Sequence, residues 1–182
     1  MIKLLVSFFL YSIFFMGLAV SETIKKVDIN GNKRIADETI LVLGDIEVGK
    51  DYKTNDLNTI IKKLYDTEFF EDISIIFEND TLVINLIENP IIEDIEITGI
   101  KSNQTKEKIL DALTLKNRKS FIEESLQKDL ILIRNILKTN GFYFVKVVPS
   151  ISKNEKLNSI RLVIDINEGP KARIKKYIIY WR

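Results

Sequence analysis

The residues that come nearest to an acid/base pair in this chain are two runs of adjacent carboxylates, Glu71-Asp72 and Glu123-Glu124. General acid/base work would need one member of a pair buried, with its pKa raised enough to hold a proton at neutral pH. Both pairs stand at polar positions beside turns or helix starts, so they are expected to be solvated surface. The chain has no Cys and no His among its 182 residues. That removes thiol nucleophiles, the commonest metal ligands and the usual neutral-pH base. No Gly-rich phosphate loop is present either. The composition therefore predicts no enzyme, no catalytic residue, no cofactor and no metal.

Charge narrows the partners. There are 27 basic and 26 acidic residues, and Lys3 is the only charge before Glu22. A balanced surface of this kind does not suit nucleic acid. Lys25-Lys26, Lys62-Lys63 and Lys175-Lys176 are pairs spread along the chain and not one patch. The aromatic runs Phe69-Phe70 and Phe142-Tyr143-Phe144 could bind a client, but their positions favour sealing the corner between helix and sheet.

The elements that would position these residues begin after a leader. Lys3 precedes an apolar run from Leu4 to Val20, and Ala19-Val20-Ser21 offers a small-residue exit before Glu22. Residues 1–21 thus have the parts of a signal peptide, and the rest is expected to be exported. Absence of Cys excludes lipoprotein processing.

A stretch of about seventy residues then occurs twice, and such internal repeats govern the fold assignment. The first copy opens with Ile24–Asn32 and closes with Leu82–Pro90; the second opens with Ile92–Gly99 and closes with Leu162–Pro170. Each is expected to run strand, helix, helix, strand, strand. In the first copy, Val27 and Ile29 mark a strand that ends at the turn Asn30-Gly31-Asn32. A short helix is expected near Ala36–Leu43, ended by Gly44. Thr54 or Asn55 would cap a longer one, with Leu57, Ile60, Ile61 and Leu64 as its apolar stripe. Asn79-Asp80 would join two alternating runs, pairing Phe77 with Leu82, Ile75 with Ile84 and Ile73 with Leu86 on one face. In the second copy, Ile109, Leu110 and Leu113 mark the short helix. Ser120–Glu123 has capping-box spacing. Leu126, Leu130, Ile133 and Leu137 form the long helix's stripe, and Asn140-Gly141 ends it. Pro149 falls inside the next strand, which a missing donor places at a sheet edge. The fold class is α+β, with two helices layered on one face of a small sheet.

These features together resemble the POTRA domain, the polypeptide-transport-associated module. The resemblance rests on Ile29-Asn30-Gly31-Asn32, on the junction Leu64-Tyr65-Asp66-Thr67-Glu68-Phe69-Phe70-Glu71-Asp72-Ile73, and on the closing strand into Glu88-Asn89-Pro90. Leu137–Tyr143 repeats the junction. Glu68 stands where the family's junction has Gly. The resemblance implies tandem POTRA modules over 22–90 and 91–170, each with a three-stranded mixed sheet, and an incomplete third module over 171–182. It implies the periplasmic part of an outer-membrane β-barrel assembly protein, truncated or a fragment, since Trp181 replaces the third opening's Gly and no barrel follows Arg182. Other POTRA carriers, namely two-partner secretion or translocation-assembly transporters and division-type anchored proteins, share the fold.

The implied partners are unfolded outer-membrane polypeptides, lipoproteins of the assembly machine, and the outer membrane through the missing barrel. Clients would add a strand to a sheet edge. The implied edges are Asp72, Ile73, Ser74, Ile75, Ile76, Phe77 and Glu78 in the first repeat. In the second, they lie on the run from Val145 to Ser152, beginning Val145, Lys146, Val147 and Val148. Ser74, off the core face, would be the place for a proline that blocks addition.

Overall fold

The computed structural model describes residues 22–172. The leader and the third opening lie outside them. The described chain forms two compact units: one holds residues up to Thr67 together with Ile73–Leu86, the other Glu68–Asp72 together with residues from Ile87 onward.

The first unit contains β1 (Glu22–Thr23), β2 (Lys26–Asn30), α1 (Asp37–Gly44), β3 (Asp51–Tyr52), α2 (Thr54–Tyr65) and most of β4 (Phe70–Glu78) and β5 (Thr81–Glu88). Its main sheet has the order β2-β5-β4, with β2 parallel to β5 from Lys26↔Thr81 to Asn30↔Asn85. Asn79 and Asp80 both take left-handed φ, 49° and 61°, as the tight turn of a two-residue hairpin requires. Along β5, Leu82, Ile84 and Leu86 are buried while Asn85 and Ile87 are exposed. That period of two puts one face of the sheet against Ile40 of α1 and Ile60 and Leu64 of α2, all buried.

The second unit repeats the plan with β6 (Ile91–Thr98), α3 (Asn103–Ala112), α4 (Glu123–Thr139), β7 (Lys146–Asn154) and β8 (Ser159–Asn167). Its sheet order is β6-β8-β7, with β6 parallel and β7 antiparallel to β8. One apolar cluster joins Ile109 of α3 and Leu126, Leu130, Ile133 and Leu137 of α4 to Ile160, Leu162, Ile164 and Ile166 of β8. The mixed three-stranded sheet under two helices is therefore present in both units. Pro149 lies on an edge strand, as expected.

Three local details differ from the sequence expectations. Asp45, and not Gly44, takes the left-handed residue after α1 (φ 55°), with Asp45 N–H donating to Val42 O at 3.2 Å and Ile46 N–H to Leu41 O at 2.9 Å. Gly44 is closely packed: a Cβ there would lie 2.8 Å from Ile46 Cδ1, so the Ile46 side chain would have to shift. At α2, Thr54 is the first helical residue, and Lys53 holds the cap position with its N–H bonded by the Asp56 carboxylate at 2.8 Å. Ser120 does not cap α4. The cap position is Ile122, because Ser120 forms a bridge with Ile91 and Phe121 N–H donates to Pro90 O at 2.8 Å. A fourth feature has no sequence signal at all. Asp129 is buried on α4 and its carboxylate accepts Thr114 N–H at 2.8 Å and Leu115 N–H at 2.9 Å, fixing the chain between the helices.

The parallel pair explains the glycine that ends each opening strand. Gly31 has φ +92°, and a Cβ there would lie 2.0 Å from Leu86 O; at Gly99 the same atom would lie 1.9 Å from Ile166 O. Gly49 has nearly the same φ, +91°, but open space around it. Gly49→Ala should therefore cost about 1–2 kcal/mol, the left-handed penalty alone. Gly31→Ala should cost about 3 kcal/mol or more, because the clash with the carbonyl adds to it. Urea denaturation of the two variants checks this, and equal losses would show that the close approach constrains nothing.

Candidate functional site: the free edges of the two sheets

Each sheet has two outer strands, and the first of them is partly closed by its own unit. Ile24 N–H donates to Lys50 O at 3.2 Å and Ile24 O accepts Gly49 N–H at 2.7 Å. Just before it, β1 pairs with β3, Glu22↔Tyr52 and Thr23↔Asp51. The second unit does the same: Ile92 N–H donates to Lys119 O at 2.9 Å, and Ile92 O accepts Arg118 N–H at 2.7 Å. Ile91 bridges Ser120 next to it. In both repeats the loop between the helices thus bonds the opening segment, at Ile24 just ahead of β2 and at Ile92 within β6. The other outer strands, β4 and β7, are the implied binding edges.

Along β4, Ile73 is buried, Ile75 and Phe77 are half-buried, and Asp72, Ser74, Ile76 and Glu78 are exposed. On β7, Lys146 and Val148 are exposed and Val147 is buried; Val145 lies just before the strand, which begins at Lys146. The direction of the backbone groups follows from two contacts. In an antiparallel pair a residue's N–H and C=O point the same way, and the direction alternates along the strand. Ile73 N–H donates to Tyr65 Oη at 3.1 Å, so it points away from β5. Ile75 and Phe77 then point outward too, and Ser74 and Ile76 point toward β5. Ser74 is accordingly the wrong place for a blocking proline, since its N–H belongs to the internal ladder. In β7, Val147 O accepts Arg134 Nη2 at a long 3.5 Å, which sets Val147, Pro149, Ile151 and Lys153 outward.

Neither carboxylate pair is buried. Glu71, Asp72, Glu123 and Glu124 are all exposed. Glu123 and Glu124 lie in the first turn of α4, where negative charge suits the helix end. Among the described residues, no group of acidic side chains is placed to hold a metal. Lys25-Lys26 and Lys62-Lys63 are surface features, and Lys175-Lys176 lies outside the described residues: Lys25 meets Asp80 at 2.6 Å, which raises the ammonium's pKa, and Lys63 meets Asp45 at 2.8 Å, which lowers the carboxyl's. Both pairs are exposed, so neither is a major source of stability. The aromatic runs divide. Phe70 is buried and Phe142 packs on the second core, but Phe69 is exposed, as are Tyr143 and Phe144 at 60% and 74%. One ring of each run faces inward, Phe70 in the first and Phe142 in the second.

The junctions before β4 and β7 carry different residues at their left-handed position. Gly141 has φ +91°, and Phe142 N–H donates to Leu137 O at 3.0 Å behind it. Glu68 holds the matching place with φ 61°, and its carbonyl accepts Asn89 Nδ2 at 2.9 Å.

This architecture has known counterparts. Residues 90–169 match the POTRA family, described as a surface antigen variable number repeat. The match covers the second repeat, from Pro90 to Gly169. The chain is similar to the outer membrane protein assembly factor BamA of Neisseria meningitidis serogroup B, with 27% identity over 154 residues, covering 84% of this chain and 19% of that protein. It is also similar to BamA of Buchnera aphidicola subsp. Acyrthosiphon pisum, with 28% identity over 178 residues, covering 92% of this chain and 28% of that protein. The chain thus spans between about an eighth and somewhat over a quarter of the curated relatives it matches. In fold, it is similar to the N-terminal domain of Omp85 from Thermosynechococcus elongatus, with a TM-score of 0.53 and 15% identity, covering 82% of this chain and 64% of that one.

A non-glycine residue in the left-handed region carries a local penalty. Glu68→Gly should therefore stabilise the protein by about 0.5–1 kcal/mol, the relief of strain less the added freedom of the unfolded chain. Thermal unfolding measures this, and a lowered midpoint would contradict the strain.

Proposed function

We propose that this chain is a periplasmic POTRA segment of an outer-membrane protein assembly factor, which holds unfolded outer-membrane polypeptides by strand addition and carries no catalysis. The observation that supports it best is the outward alternation of Ile75 and Phe77 on β4, an edge strand whose face is otherwise finished. Main-chain groups bind any extended chain with little regard to its sequence, which suits a handler of many clients. The similarity to BamA proteins supports the compartment and the clients. The two repeats, 22–90 and 91–170, would be the modules. Lipoproteins of the assembly machine would dock on their surfaces, and a membrane barrel would be the destination of the clients.

The test uses an unfolded β-barrel protein diluted from urea into buffer with and without an equimolar amount of this chain. Aggregation followed by light scattering should be slowed at least severalfold by the chain. An unchanged rate would contradict the holding function.

A further inference from the structure

The geometry points to β4 as the strand-adding edge of this chain, with β7 closed by Pro149 and with the Tyr65 hydroxyl fixing where the added strand begins. This rests on the strand-addition reading and adds the choice of edge and the register.

The two edges can be aligned residue by residue. The contacts of Gly31 with Leu86 O and of Gly99 with Ile166 O make Leu86 and Ile166 equivalent. Val147 pairs with Ile166. Ile73 is the matching residue of the first repeat: each is a buried residue near the start of its edge strand, and each has one outward backbone group bonded by a side chain of the long helix. Two residues further on, Ile75 corresponds to Pro149.

That difference decides which edge works. An added strand on β4 meets N–H and C=O at both Ile75 and Phe77. The same strand on β7 meets the Pro149 carbonyl but no N–H, in the middle of the ladder. A proline in that place is a recognised way of closing an edge. Pro149 pairs in register with Ile164 and costs β7 nothing on its inner side, because its missing N–H faces outward.

Tyr65 sets the near end. It stands on the last turn of α2, 39% exposed, with its oxygen on the Ile73 N–H. A client strand cannot take that N–H while the hydroxyl holds it. The first free rung is therefore Ile75, and the partner is a short extended segment whose main chain spans Ile75 to Phe77, not a long strand running the whole edge. Alternating apolar and polar residues fit, since the added strand would continue a sheet with one apolar face and one polar face.

The experiment uses a fluorescein-labelled peptide of alternating valine and threonine, titrated against the full chain by anisotropy and by isothermal calorimetry, with circular dichroism confirming the fold of each variant. One peptide per chain is expected. Ile75→Pro, which copies what the second repeat already carries, should weaken binding by about tenfold or more. Tyr65→Phe should strengthen it by about two- to tenfold, because the Ile73 N–H becomes available. Pro149→Ile should raise the stoichiometry to two. No peptide bound to any variant would overturn both this inference and strand addition. Binding that ignores Ile75→Pro and Tyr65→Phe, or two peptides on the unaltered chain, would overturn the choice of edge and register while leaving strand addition standing.

Discussion

The close approach of a glycine Cα to a carbonyl on the closing strand is the constraint on which each repeat depends. Gly31 lies against Leu86 O and Gly99 against Ile166 O, at the end of a parallel pair. A parallel pair needs a crossover, and the two helices supply it, so the layer of helices follows from the strand order. With the opening strand on one side and the hairpin partner on the other, the closing strand becomes the centre of the sheet and its inward residues the centre of the core. Leu82 and Ile84 in the first repeat, and Leu162 and Ile164 in the second, are fully buried for that reason.

A three-stranded sheet arranged this way has two edges, and the chain treats them differently. The loop between the helices bonds both backbone groups of Ile24 in one repeat and of Ile92 in the other. The opening edge is thereby partly finished with main-chain bonds. The hairpin edge receives side-chain bonds, from the Tyr65 hydroxyl on β4 and the Arg134 guanidinium on β7. Main-chain stitching is permanent, whereas a side chain can turn aside. Under the proposed strand addition, recruiting another chain falls to β4 and β7, and Pro149 separates those two.

Most of this was legible because the signals are periodic. Strands β4 to β8 and helices α2 and α4 carry alternation or an apolar stripe, and the repeat doubles each signal. The edge position of β7 was legible from Pro149 alone. What escaped lacks periodicity. The two-residue strands β1 and β3 are too short to show any pattern, and their partnership is set by the loop that follows α1. Ser120 has the spacing of a cap but is held extended by Ile91, a contact about thirty residues away that only the fold creates. Asp129 reads as one polar residue in an apolar helix until its two backbone donors are in place. The outward direction of Ile75, and hence the unsuitability of Ser74 as a probe, depends on which rung the hairpin turn makes first. Side-chain pattern reports the face of a strand and is silent on the edge to which its N–H points.

The open β4 edge is tested most directly by amide hydrogen exchange of the full chain, followed residue by residue by NMR. Ser74 and Ile76, bonded within the sheet, should exchange slowly, and Ile73 should be slowed by the Tyr65 hydroxyl. Ile75 and Phe77 should exchange much faster than their neighbours. If Ile75 and Phe77 are as protected as Ser74 and Ile76, the edge is already covered and the account of it is wrong.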